Sequence, residues 1–224
     1  MARKAVEDVR NITTLGAGPI GAGWAAYFLA QGYDVTAWIF DAGEEEKLRG
    51  LIDAAWESLE ELGLAEGASR DRLTVTTDLA QACANADFVQ ESVPENLTLK
   101  QSMYEKMGAL VPADVVISSS TSGLTMSQIQ ETCPTPERTV TGHPFNPPYL
   151  MPLVEIVGGK KSDPEAVAWA GRFYEHAGKA PLVMDKEVPG FVATRLQEAI
   201  WREALHMINA GEATVEQIDT AIVN

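Results

Sequence analysis

An α/β architecture, with a doubly wound and mostly parallel sheet followed by a short all-α segment, is predicted by three observations. Short apolar runs alternate with amphipathic helical runs from residue 10 to residue 184. A glycine-rich turn, Gly16-Ala-Gly18-Pro-Ile-Gly21, joins the first run of one kind to the first of the other. Beyond Lys186-Glu-Val-Pro-Gly190 the alternation stops and only helical patterns remain. Strands alternating with helices imply a sheet covered on both faces.

The pattern predicts strand 10–15, helix 19–31 and strand 34–40 as the opening unit. A helix at 43–63 carries Leu48, Leu51, Ile52, Ala55, Trp56, Leu59 and Leu62, and Gly63 ends it. Strand 73–77 precedes helix 78–84, with Asp78 near its cap. Strand 86–93 leads to helix 97–110, then strand 115–118, a short helix 127–132 and strand 138–142. Strand 153–157, helix 164–177 and strand 180–184 complete the alternation. A helix at 191–210 follows, stopped by Gly211, and Thr214 starts another in a cap-like position. The boundary falls near 187, giving a domain 1–187 and the start of a helical domain at 188–224. Two helices make a poor core alone. They must pack on the first domain, on a partner subunit or on further sequence.

Composition narrows the class. A chain of 224 residues with 46% hydrophobic content buries a real core. No apolar run approaches the ~18 residues of a membrane span. The start, Met-Ala-Arg-Lys-Ala-Val-Glu-Asp, lacks the apolar stretch of a signal peptide. Cys83 and Cys133 lie far apart and have no metal-ligand spacing, so they read as reduced thiols of a cytoplasmic protein without a metal. A net charge of −15 argues against nucleic acid and anionic membranes as partners.

Two stretches carry chemistry. In the first, Gly16 permits the tight turn, Gly18 lets backbone approach a pyrophosphate, and Gly21 permits close helix–strand packing. Pro19 and Ile20 lie in the same turn. The helix that starts there offers free N–H groups to an anion. In this strand–turn–helix context the pattern predicts a dinucleotide site, the alternative being a chance glycine-rich turn. The second stretch, from Thr141 to Glu155, holds four prolines and reads as a stiff loop. It sets His143 twelve residues before Glu155. An oriented His–carboxylate pair suits a general acid/base, because the carboxylate fixes the tautomer and stabilises the imidazolium. The alternative is a buried structural histidine. The proline frame and the upstream cofactor site favour catalysis.

Six features in one order carry a resemblance. They are the Gly16 turn, Glu91-Ser-Val-Pro-Glu95-Asn-Leu, Ser119-Ser-Thr-Ser122-Gly-Leu, His143-Pro-Phe-Asn146-Pro, Glu155 and Pro189-Gly-Phe191. The chain resembles the L-3-hydroxyacyl-CoA dehydrogenase family. It looks most like the branch that contains L-carnitine dehydrogenase and lambda-crystallin (L-gulonate 3-dehydrogenase). The resemblance covers nearly the whole chain and implies a Rossmann-type fold and NAD-dependent oxidation of a 3-hydroxy acid. By position it implies His143 as general base, Glu155 as its orienting partner, and Ser122 as a hydroxyl that bonds the substrate oxygen. Asn146 matches a substrate-side residue, and Glu95 and Lys100 match a pair near the cofactor. Residue chemistry alone leaves alternatives. Ser122 could cap the next helix, Asn146 could bond its own backbone, and Glu95 with Lys100 could be a solvated pair.

Three departures stand out. The family usually ends its second strand with an acid on the adenosine ribose, and here that place holds Ile39, so either Asp41 substitutes from the loop or cofactor affinity or choice is altered. A polar residue, often Asn, follows Pro-Gly-Phe in the family, and here it is Thr194. The chain also ends at Asn224, so the helical domain, which in the family forms much of a homodimer contact, looks shortened. As for substrate, 51–69 contains no Lys or Arg and five acids, Asp53, Glu57, Glu60, Glu61 and Glu66. That disfavours the polyanion coenzyme A and favours a small free hydroxy acid, cationic carnitine included. The competing readings are a 3-hydroxyacyl-CoA dehydrogenase, and a catalytically impaired dinucleotide-binding fragment or crystallin-like structural protein.

Overall fold

The computed structural model describes residues 3–224. It divides into two compact units, Met1–Glu187 and Val188–Asn224. In the first, the elements run β1 (Asn11–Leu15), α1 (Pro19–Ala30), β2 (Asp34–Trp38), α2 (Glu45–Leu62), β3 (Leu73–Thr76), α3 (Leu79–Cys83) and β4 (Phe88–Glu91). They continue with α4 (Leu97–Leu110), β5 (Val116–Ser119), α5 (Met126–Ile129), β6 (Thr139–Pro144), β7 (Leu153–Gly158), α6 (Pro164–His176) and β8 (Ala180–Val183).

The eight strands form one sheet in the order β3-β2-β1-β4-β5-β6-β7-β8. Neighbours run parallel except β6 and β7, which are antiparallel. The order reverses at β1 and β4, so a crevice opens beyond their carboxyl ends. α1 is apolar all round because it is covered all round: the sheet lies on one side and α2 on the other. Trp24 and Phe28 of α1 join Phe88, Trp169, Phe173 and Tyr174 in one aromatic core layer. Leu15, Val89, Tyr104, Met107, Ile117 and Met126 fill the other face.

Caps set several boundaries. The Asp78 carboxylate accepts from the amides of Ala80 and Gln81, and the Asn96 side chain accepts from Leu99. Ser122 does not cap the helix that follows it. Thr125 does, in a reciprocal pair with Gln128.

Two departures from the sequence expectation matter. The strand expected at 138–142 runs further: β6 continues through His143 to Pro144, while Glu155 lies inside β7, within the strand expected at 153–157. The prolines point to a loop from His143 on, but Pro144 ends its strand, where a missing N–H costs little. The long helix starts at Ala193 rather than 191, because Phe191 has φ 50°, a left-handed conformation no α-helix residue takes.

The second unit consists of α7 (Ala193–Ala210) and α8 (Val215–Val223). Thr214 caps α8 with Gln217 as its reciprocal partner. Leu196, Ile200, Trp201 and Ile208 of α7 and Ile218 and Ile222 of α8 line an apolar depression of about 560 Å³. Among the described residues no helix is long and apolar enough to cross a membrane.

Candidate active site

The site begins at the turn after β1. Gly16 has φ 103°, where a side chain is strained. A Cβ on Gly21 would lie 2.1 Å from the Gly16 carbonyl oxygen, so α1 packs on the turn only because Gly21 has no side chain. At Gly18 the opposite holds: a Cβ would meet nothing within 4 Å. It would project into open space above the N-terminus of α1, where Pro19 takes the first helical position. These three positions fit the pyrophosphate of a dinucleotide.

A cavity of about 690 Å³ opens over this turn. Gly16, Gly18, Pro19 and Ile20 form one wall, and Trp38, Phe40, Glu44 and Lys47 form the end beyond β2. Ser92 to Glu95, Leu99, Lys100, Met103, Ser120 and Ser122 complete it. The lining is mostly apolar, as a nucleotide with two aromatic rings requires.

Under the cavity floor lies an ion pair that the sequence did not single out. Glu91, at the end of β4 and fully buried, takes Lys100 Nζ at 2.6 Å on Oε1. Its Oε1 also accepts from the Val93 amide at 2.8 Å, and Oε2 accepts from the Ser119 hydroxyl at 2.7 Å. Lys100 is itself 1% exposed, so it is no solvated partner of Glu95, whose Oε2 stands 3.6 Å away. Glu95 instead holds the turn after β5. Its Oε1 accepts from the Thr121 hydroxyl at 2.5 Å and from the amides of Ser122 and Gly123 at 3.1 and 2.9 Å. Burial opposes ionisation of Glu95, yet these donors and Lys100 hold its carboxyl below the usual range. Ser122 is thereby presented, exposed, at the cavity rim.

His143 and Glu155 are direct partners across the antiparallel β6–β7 ladder. His143 Nδ1 lies 3.0 Å from Glu155 Oε2, and both residues are buried. They do not line the cavity. β6 is parallel to β5, β4 and β1, so its end at His143 falls on the same sheet edge as Ser119, Glu91 and Leu15. The topology thus brings the His–Glu pair, the Ser122 turn and the glycine turn to one edge.

Asn146 is exposed in the β6–β7 connection, at a cis Asn146–Pro147 bond. That connection is anchored by Lys179, which the sequence also did not reveal. Lys179 is buried, donates to the carbonyl oxygens of Pro148 and Met151, and lies 3.4 Å from the Tyr27 ring centroid. Burial pushes its ammonium down to about 7. Asp41 is exposed and does not line the cavity. Its carboxylate accepts from the Gly43 amide at 2.8 Å, while Glu44 reaches the wall. Thr194 lies in the first turn of α7, in the second unit. The acidic run on α2 is exposed, but Arg70 pairs with Asp53 at 2.5 Å and lies over Trp56. Among the described residues no cluster of His, Cys, Asp or Glu could hold a metal.

A doubly wound sheet with a glycine turn at its switch point, a cavity over that turn and a His–Glu pair at the same edge defines a dinucleotide-dependent oxidoreductase. The model of the 3-hydroxyacyl-CoA dehydrogenase NAD binding domain matches residues 11–188, and that of the 3-hydroxyacyl-CoA dehydrogenase C-terminal domain matches 190–224. The chain belongs to the 3-hydroxyacyl-CoA dehydrogenase family, and the dinucleotide is NAD. It is 60% identical over 216 residues to an L-carnitine dehydrogenase of Streptomyces coelicolor, covering 96% of this chain and 68% of that protein. An L-carnitine dehydrogenase of Streptomyces griseus is 59% identical, with 97% and 65% covered. The chain therefore spans about two thirds of the length of these curated relatives. Among solved structures, a 5-formyl-3-hydroxy-2-methylpyridine 4-carboxylic acid 5-dehydrogenase superposes with a TM-score of 0.86 at 33% identity, over 96% of this chain and 70% of that one. The family and these relatives make the chain part of an NAD-dependent oxidoreductase acting on a CH–OH group.

Proposed function

We propose that the chain oxidises the 3-hydroxyl of a small free hydroxy acid, carnitine-like or gulonate-like, to the 3-keto acid. The observation that carries this reading is the buried Nδ1–Oε2 contact of His143 and Glu155 at the sheet edge that also bears the Ser122 turn. NAD, when bound, supplies the hydride acceptor. His143 takes the hydroxyl proton, Glu155 fixes its tautomer and stabilises the imidazolium, and Ser122 donates to the substrate oxygen. Asn146 and Thr194 act on the substrate side, the latter with a single hydroxyl where an amide would make two bonds. The L-carnitine dehydrogenases at about 60% identity favour the quaternary ammonium acid.

The chain works as a cytoplasmic homodimer. The exposed apolar depression between α7 and α8 supports the second point, and two free, buried cysteines support a reducing compartment. An NADH-absorbance screen with L-carnitine, L-gulonate, 3-hydroxybutyrate and 3-hydroxybutyryl-CoA tests the substrate class. Turnover of a free acid is expected. Turnover of the thioester alone would select the acyl-CoA reading. The acidic face of α2 disfavours that outcome, although Arg49 and Arg70 flank it, each already paired with a carboxylate.

A further inference from the structure

The end of β2 lacks the acid that usually faces the adenosine ribose in a dinucleotide site. β2 stops at Trp38, and Ile39 is 1% exposed, packed into the core with its amide on the Thr76 carbonyl at 3.0 Å. Two carboxylates follow within five residues, and their geometry differs. Asp41 folds onto the Gly43 amide and stays off the cavity wall. Glu44 reaches backward: its Oε2 accepts from the Phe40 amide at 3.1 Å. That bond pins a carboxylate at the strand terminus, one residue past Ile39. Glu44 lines the cavity there with Trp38, Phe40 and Lys47. Among the described residues its Oε1 accepts no hydrogen bond. Phe40 is 78% exposed beside the carboxylate, with its ring at right angles to that of Trp38.

We propose that Glu44 is the residue that receives the adenosine ribose diol and sets the preference for NAD over NADP. The inference rests on the dinucleotide reading of the cavity. A carboxylate accepts both hydroxyls of a vicinal diol and repels a 2′-phosphate. Lys47 on the same wall has the opposite sign and draws that phosphate. Glu44 therefore decides the sign of the field at the 2′ position.

Glu44→Gln keeps the acceptor for the Phe40 amide and removes the charge, so the fold is retained. Fluorescence titrations with NADH and NADPH then read the ratio of their dissociation constants. A hydrogen bond to a charged group corresponds to about tenfold or more in affinity. Glu44→Gln is expected to shrink the NADH-over-NADPH ratio by at least about tenfold, while Asp41→Asn leaves it within about twofold. An unchanged ratio in Glu44→Gln, or a collapse in Asp41→Asn, overturns the assignment of Glu44 alone. Wild-type protein that binds neither dinucleotide overturns the cavity reading as well. Unfolding midpoints of both variants within a few degrees of wild type confirm that the ratio reports the site.

Discussion

Replacing Lys100 with methionine removes the cation beneath the cofactor cavity and leaves the Glu91 carboxylate buried. The two side chains are 1% and 0% exposed. Methionine occupies nearly the volume of lysine, so no cavity is created. Breaking a buried ion pair from one side costs about 3–5 kcal/mol. Glu91 keeps the Val93 amide and the Ser119 hydroxyl, which places the loss near the lower limit, about 3 kcal/mol. In a domain of this size each kcal/mol moves the midpoint by about 2–4 °C, so a fall of roughly 6–12 °C is expected. Thermal and urea melts of Lys100→Met measure it. The double variant Lys100→Met/Glu91→Gln carries no buried charge, and its amide oxygen still accepts from Val93. It is expected to recover at least about half of the loss. A single variant within about 1 kcal/mol of wild type, or a double variant as unstable as the single, would refute the claim that the two charges depend on each other.

Three further outcomes are expected. His143→Ala loses turnover by roughly 10²–10⁴-fold with NADH binding intact, and Glu155→Gln loses less, as steady-state kinetics beside NADH titration will read. Glu95 is held below its ordinary value, so the unfolded chain takes up its proton first. Its stabilisation is present above about pH 4.5 and is lost as pH falls below that. Glu95→Gln should therefore lower the melting temperature at pH 7 and flatten its fall on acidification. Light scattering at tens of micromolar should give a dimer. A strict monomer that binds no hydrophobe-sensitive dye would count against association through α7 and α8.

Much of the fold could be read from local signals, because these act within a few residues. The glycine turn, the Asp78 and Thr214 caps and the bounds of α4 depend on neighbours in sequence. The site was less legible because its contacts cross the sheet. His143 and Glu155 were paired by spacing and resemblance, but their opposition across β6 and β7 depends on register, which prolines on both sides concealed. Glu91 appeared only as part of a motif, since a lone acid at a strand end looks the same whether buried or solvated. Nothing in the sequence pattern marks Lys179, a lone lysine between a helix and a strand. Only the return of the Pro148–Met151 backbone and the rings of α1 makes it buried. Ile39 was recognised as a missing acid, yet the carboxylate near its place comes from five residues on, through a backbone amide that no pattern marks.

Gly18 offers the most direct test of the cofactor site, because fold and ligand make opposite demands there. Its φ of −76° suits any residue, and an added Cβ meets nothing within 4 Å. Gly18→Val should fold and melt like wild type, yet fill the space the pyrophosphate needs. NADH titrated against both proteins, followed by nicotinamide fluorescence, should bind wild type and lose most of its affinity for the variant. Equal affinity in the two proteins, with equal melting temperatures, would contradict a dinucleotide bound across this turn.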